Sequence, residues 1–130
     1  LPWCLEPIAG LIDSGETPEE AALREAREET GLKLLRLESV ASSYPSPGIS
    51  TEFFHHYVGI VSLPETTDLV SGLASESEDI RSHIFYFSDF LKMIEAGHIS
   101  VGPAILIGLW LARHRDLLRR TTIHKNQTSF

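Results

Sequence analysis

Cysteine is nearly missing: Cys4 is the only one, which excludes an intramolecular disulfide and any zinc site built from several thiolates. Positive charge is also scarce. Eleven Lys and Arg stand against 18 Asp and Glu, a net charge of −7, which argues against gripping a nucleic-acid backbone or an anionic membrane. Long apolar runs are absent. The longest, Pro103 to Ala112, is too short to span a bilayer, and the first residues show no basic region followed by an apolar stretch and a cleavage site. A soluble chain in a reducing cytoplasm, with no nucleic-acid or membrane partner, is the expectation. There is no internal repeat and no low-complexity segment, and the length of 130 residues suits one domain with one core. The chain opens at Leu1 directly in a strand-like stretch, so an upstream part is expected.

What is present reads as an alternation of strands and helices. Trp3 to Ile8 is a short strand, followed by a turn-rich stretch with Gly10, Asp13, Ser14 and Gly15. Thr17-Pro18-Glu19-Glu20 supplies a capping hydroxyl, a proline at the first helical position and a glutamate three residues after the cap, and Gly31 is a natural stop, so residues 18 to 30 form a helix. Leu32 to Ser43 and Thr51 to Leu63 are strand-like, separated by the turn Tyr44-Pro45-Ser46-Pro47-Gly48. Pro64 to Asp79 is a long acidic loop of the kind that tends to be functional. Ile80 to Phe87 returns to strand, Ser88 caps a short helix ending near Gly97, and Val101 to Arg120 is a longer, mostly buried helix. Residues 121 to 130 form a polar, frayed tail.

The first helix carries the most information. Glutamates occupy positions 16, 19, 20, 25, 28 and 29 against Arg24 and Arg27. At 100° per residue, Glu25, Glu28 and Glu29 share one face. For stability this is a poor arrangement: Glu25 and Glu29 repel at i and i+4, and carboxylates in the last turn oppose the helix dipole. A divalent cation reverses both penalties, because clustered hard oxygen donors are what Mg²⁺ or Mn²⁺ requires. From composition alone a solvated charged face is the commoner meaning.

The order of residues points elsewhere. Gly10, five residues, Glu16, seven residues, then Arg24-Glu25-Ala26-Arg27-Glu28-Glu29-Thr30-Gly31-Leu32 resembles the Nudix hydrolase signature G-x5-E-x7-R-E-U-x-E-E-x-G-U, U being apolar, at every defined position, with Ala26 smaller than the usual aliphatic. The resemblance implies an α+β fold with a mixed β-sheet between helices (α/β/α), here over residues 1–120 and lacking its N-terminal region. It implies hydrolysis of a nucleoside diphosphate linked to another moiety by water activated on Mg²⁺, with Mn²⁺ as a substitute. By the motif, Glu25 and Glu29 are the principal metal ligands, Glu28 is a ligand or a bridge through water, and the carbonyl of Ala9 faces a metal. Arg24 orients the glutamates and Glu16 supports that network.

Downstream, Pro47 lies sixteen residues after Gly31, a spacing similar to the marker proline of the bacterial ADP-ribose pyrophosphatases within that family. The S-Q-P-W-P-x-S motif of NADH-type members is absent. Ser46-Pro47-Gly48 with Thr51-Glu52, and Gly72-Leu73-Ala74 running into Glu76-Ser77-Glu78-Asp79-Ile80-Arg81, carry the likeness onward. It implies Glu76 as the catalytic base, with Glu78 the neighbouring alternative, and Pro47, Gly48 and Glu52 at the substrate. It also implies a homodimer whose N-terminal regions supply arginines for the pyrophosphate and aromatic contacts to adenine. The expected reaction is ADP-ribose to AMP and ribose 5-phosphate. Another nucleotide sugar as substrate, or a non-catalytic ADP-ribose sensor, are the alternatives; the intact Glu25, Glu28 and Glu29 speak against the sensor.

The remaining polar residues read as structural. His55 and His56 are adjacent on a strand, so they point to opposite faces and cannot hold one ion together. Cys4 reads as a small buried apolar side chain, and Arg113, Arg115, Arg119 and Arg120 complement the dipole of the last helix.

Overall fold

The computed structural model describes residues 4–63, 69–71 and 80–127. The first helix, α1 (Pro18–Thr30), forms where the sequence places it. Thr17 and Glu20 make the reciprocal capping box, Pro18 occupies the first turn, and Gly31 closes the helix at φ 70°, its N–H donating to the Arg27 carbonyl. The left-handed conformation explains the glycine, since a Cβ there is strained.

Strands β1 (Leu34–Ser43) and β2 (Phe54–Val61) pair antiparallel, Leu34 opposite Val61 and Ser43 opposite Phe54, with irregularities between Leu34 and Arg36 and between Ser39 and Ala41. In the connection, the Ser46 carbonyl accepts from the N–H groups of Ile49 at 3.1 Å and Ser50 at 2.9 Å. Strand periodicity sends neighbours to opposite faces. His55 is accordingly exposed and His56 buried. On the His56 face lies α3 (Gly102–Gln127), and Ser43, Pro45, Phe54, His56, Gly102, Pro103 and Leu106 line a cavity of about 340 Å³ there. On the opposite face, Tyr57 donates its hydroxyl to Glu19 of α1 at 3.0 Å. Helices therefore flank the hairpin on both sides, the expected layering.

A second antiparallel pair, β3 (Leu69–Ser71) and β4 (Ile80–Ser82), packs against α1. Both described pairs are antiparallel, and no parallel partner of a mixed sheet lies among the described residues. The helix α2 (Phe87–Glu95) packs on α3, with Arg115 over the Phe87 ring at 5.3 Å.

Several expectations are corrected. Residues 4 to 8 form no strand, because no described strand pairs with them, and Cys4 is exposed rather than buried. The acidic stretch 64–79 is not wholly loop, since β3 lies within it; the strand expected over Ile80–Phe87 ends at Ser82. Ser88 sits inside α2 rather than capping it: Tyr86 is the N-cap, and its carbonyl accepts from the N–H groups of Asp89 and Phe90. The last helix runs to Gln127 instead of ending at Arg120. Polar Thr121 and Thr122 lie within it, their hydroxyls folded back onto the Leu117 and Leu118 carbonyls at 3.1 and 2.8 Å, so hydrophilicity there does not end the helix. Nor is that helix mostly buried. Among the described residues its only buried positions are Ala104 and Gly108.

The core is built from small contacts. Ala21, Ala26, Ile99 and Ala104 are its buried apolar residues, while Leu11, Ile49 and Tyr86 remain 85%, 90% and 83% exposed. No helix among the described residues is long and apolar enough to cross a membrane.

Candidate functional site

One cation organises the acidic face of α1. Arg24 Nε and Nη2 donate to the two carboxylate oxygens of Glu16, each at 2.9 Å. Its Nη1 donates to Glu25 at 2.6 Å and to Glu28 at 3.2 Å, and Nη2 also reaches the Leu11 carbonyl at 2.9 Å. Asp13 stands 3.8 Å away. The planar guanidinium has enough donors for all of these, which lysine lacks. The hydrogen bond to Glu16, then that to Glu25, hold the Arg24 charge still more firmly than usual. In return the Arg24 hydrogen bond, followed by the Asp13 N–H at 3.0 Å, holds the Glu16 carboxyl below its ordinary range. Glu16 is therefore a fixed anion that locks arginine and loop together.

The spacing from Gly10 to Glu25 acquires a physical meaning. A Cβ placed on Gly10 would lie 1.8 Å from Glu25 Oε1 and 2.0 Å from its Cδ. The carboxylate occupies the space that any side chain at position 10 would fill. Ala9 is exposed, and its carbonyl belongs to the peptide unit ending at Gly10, so it is one residue from that carboxylate. Glu28 and Glu29 are half-buried. The Glu29 carbonyl accepts a hydrogen bond from Ser82 Oγ of β4 at 3.1 Å, and along the outer face Glu20, Leu23, Arg24, Arg27 and Glu28 line an open hollow of about 290 Å³.

Arg24, Glu16, Glu25 and Glu28 are thus brought together as expected, with Glu29 on the same helix. Among the described residues no three His, Cys, Asp or Glu side chains already converge as a metal cluster, because Glu25 and Glu28 are drawn onto Arg24. The donor set nonetheless suits a hard divalent cation: carboxylate oxygens on one face, one seated against a glycine. Pro47, Gly48 and Glu52 are exposed in the connection between β1 and β2. No hydrogen bond or ion pair among the described residues joins them to Glu25 or Glu28, whose partner is Arg24. Glu76 and Glu78 lie outside the described residues. Sequence reasoning missed Ser82, Tyr57 and the Leu11 carbonyl, which carry no local signal because their partners are far away in the chain.

The comparisons agree with this architecture. A family model for the NUDIX domain matches residues 2–103. The chain belongs to the Nudix family. This Nudix chain is 38% identical to the ADP-ribose pyrophosphatase of Escherichia coli (strain K12) over 118 residues, covering 91% of the chain and 56% of that protein. It is 37% identical over 110 residues to the ADP-ribose pyrophosphatase of Haemophilus influenzae, covering 85% and 50% respectively. With the GDP-mannose pyrophosphatase of Escherichia coli O1:K1 it shares 35% identity over 103 residues, covering 79% of the chain and 52% of that protein. The chain spans about half the length of the curated relatives it matches.

Proposed function

We propose that this Nudix chain carries the hydrolytic half of a divalent-metal-dependent pyrophosphohydrolase that splits ADP-ribose into AMP and ribose 5-phosphate in the cytoplasm. The observation that carries the reading is the Arg24 hub, which holds Glu16, Glu25 and Glu28 together while Gly10 leaves room for the Glu25 carboxylate. The residues that would hold Mg²⁺, or Mn²⁺ in its place, are Glu25, Glu29 and Glu28 with the Ala9 carbonyl. When bound, the ion neutralises pyrophosphate oxygens and lowers the pKa of a water. Glu76 would serve as general base for the attacking water, whose oxygen bonds to phosphorus as the bridging P–O bond breaks and the phosphate monoester leaves. Arg24 keeps the carboxylates aimed, and Glu16 keeps Arg24 in place. No covalent nucleophile is required.

Pro47, Gly48 and Glu52 are substrate contacts in this reading. The same reading includes a homodimer, in which the loop serves the site of the second copy. The 35% identity to a GDP-mannose pyrophosphatase favours, as the second reading, a nucleotide sugar other than ADP-ribose.

The test is metal-dependent release of AMP from ADP-ribose. Glu29→Gln removes a direct ligand and should lose more than the 10- to 100-fold that supporting groups cost. Glu76→Gln should lose about 10²–10⁴-fold, the share of a general base. Turnover of GDP-mannose but not ADP-ribose would move the substrate to the second reading, and full activity in Glu29→Gln would remove the metal site from α1.

A further inference from the structure

The last carbonyls of a helix have no donor within it. In the last turn of α1 the Arg27 carbonyl takes the Gly31 N–H at 2.8 Å, and the Thr30 hydroxyl folds back onto the Ala26 carbonyl. The Glu29 carbonyl is met from outside the helix, by Ser82 Oγ at 3.1 Å across 53 residues of sequence. It belongs to the residue whose carboxylate is a metal ligand in the proposed function, on which this inference rests. Water could satisfy that oxygen equally well. Only a donor fixed to a strand can also anchor it, and Ser82 ends β4, which pairs with β3 and packs on α1.

We propose that Ser82 is a positioning residue for the metal-binding face of α1. Its hydroxyl ties the backbone of Glu29 to the β3–β4 pair, so that the last turn does not fray where Glu25, Glu28 and Glu29 repel one another. It also draws off part of the negative charge that the helix end would otherwise add to theirs. The consequence is a higher affinity of the carboxylate face for a divalent cation, with no contact between Ser82 and substrate.

Ser82→Val and Ser82→Thr test this cleanly, because both place a β-branched residue on the strand and differ from each other only in a methyl against a hydroxyl. Binding of Mn²⁺ to the 130-residue chain is followed by electron paramagnetic resonance, beside Glu29→Gln. Amide hydrogen exchange at residues 29–31 is followed without metal. Ser82→Val should weaken Mn²⁺ binding by about tenfold, the lower end for groups that orient a ligand, and speed exchange in that turn. Ser82→Thr should restore both. Unchanged Mn²⁺ binding in Ser82→Val, with Glu29→Gln impaired, overturns the role of Ser82 and leaves the metal site standing. A lower melting temperature without a change in Mn²⁺ affinity also overturns it, since the hydroxyl would then be structural only. If Glu29→Gln binds Mn²⁺ like the parent, the metal reading fails and this inference with it.

Discussion

At the scale of single residues, the site is an exercise in holding like charges together. Glu25 and Glu28 sit within reach of one guanidinium, and the largest hold on that guanidinium is Glu16. Gly10 has a purely steric part, so the smallest possible change there is informative. Gly10→Ala brings a methyl onto the Glu25 carboxylate, 1.8 Å from Oε1, and the carboxylate must swing away. We expect Mg²⁺-dependent hydrolysis to fall by about 10- to 100-fold, as for other changes in the shell that orients metal ligands, while the melting temperature changes little because position 10 is exposed. Activity assays over a range of Mg²⁺ check this; a wild-type metal dependence in Gly10→Ala would show that the Glu25 carboxylate does not need that space.

At the scale of elements, the hairpin of β1 and β2 is clasped between α1 and α3, and its two histidines illustrate how alternation assigns their fates. His55 bonds Ser42 at 3.1 Å on the exposed side, and His56 bonds Ser43 at 2.9 Å on the side facing α3. Burial, with a smaller contribution from His55, pushes the His56 imidazole below its ordinary value of 6.5. The unfolded chain therefore takes up a proton near pH 6.5 that the folded chain resists, so stability is greatest above that pH and declines as pH falls, until the folded imidazole is itself protonated. Urea midpoints measured at about pH 7.5 and about pH 5.5 should show the loss, and His56→Leu should remove part of it. An equal loss in His56→Leu would place the pH sensitivity elsewhere.

The element boundaries show what was legible in the chain and what was not. α1 was readable to the residue because its capping box, first-turn proline and terminal glycine are local signals. The continuation of α3 past Arg120 was hidden by hydroxyls that bond back to the helix instead of to solvent. Over the described residues 4–8 the expected strand and the buried Cys4 failed for a common reason: a strand and a burial both need a partner surface, which an apolar stretch does not contain in itself.

At the scale of the whole molecule, the proposed function puts substrate contacts in the connection between β1 and β2, apart in sequence from the carboxylates of α1. If the loop completes the site of a second copy, two inactive variants should rescue each other. Glu29→Gln and Glu52→Gln, each inactive alone, should regain the activity of one full site per mixed dimer, roughly half that of the parent dimer, because in a two-fold dimer one of the two sites then carries neither change. Co-expression with two affinity tags isolates the mixed dimer; no regain would mean that the loop acts within its own chain or not at all.

The order Gly10, Glu16, Arg24, Glu25, Glu28, Glu29 carried the resemblance to the family's signature without any coordinates, and helix pitch alone turns the spacing of Glu25, Glu28 and Glu29 into a shared face. Only the tertiary structure decided that Glu25 lies against Gly10, that Ser82 holds the end of α1, and that Tyr57 docks its beginning. Those contacts join segments whose approach depends on how helices and strands pack, and packing is a property of surfaces brought together by the fold rather than of neighbours along the chain.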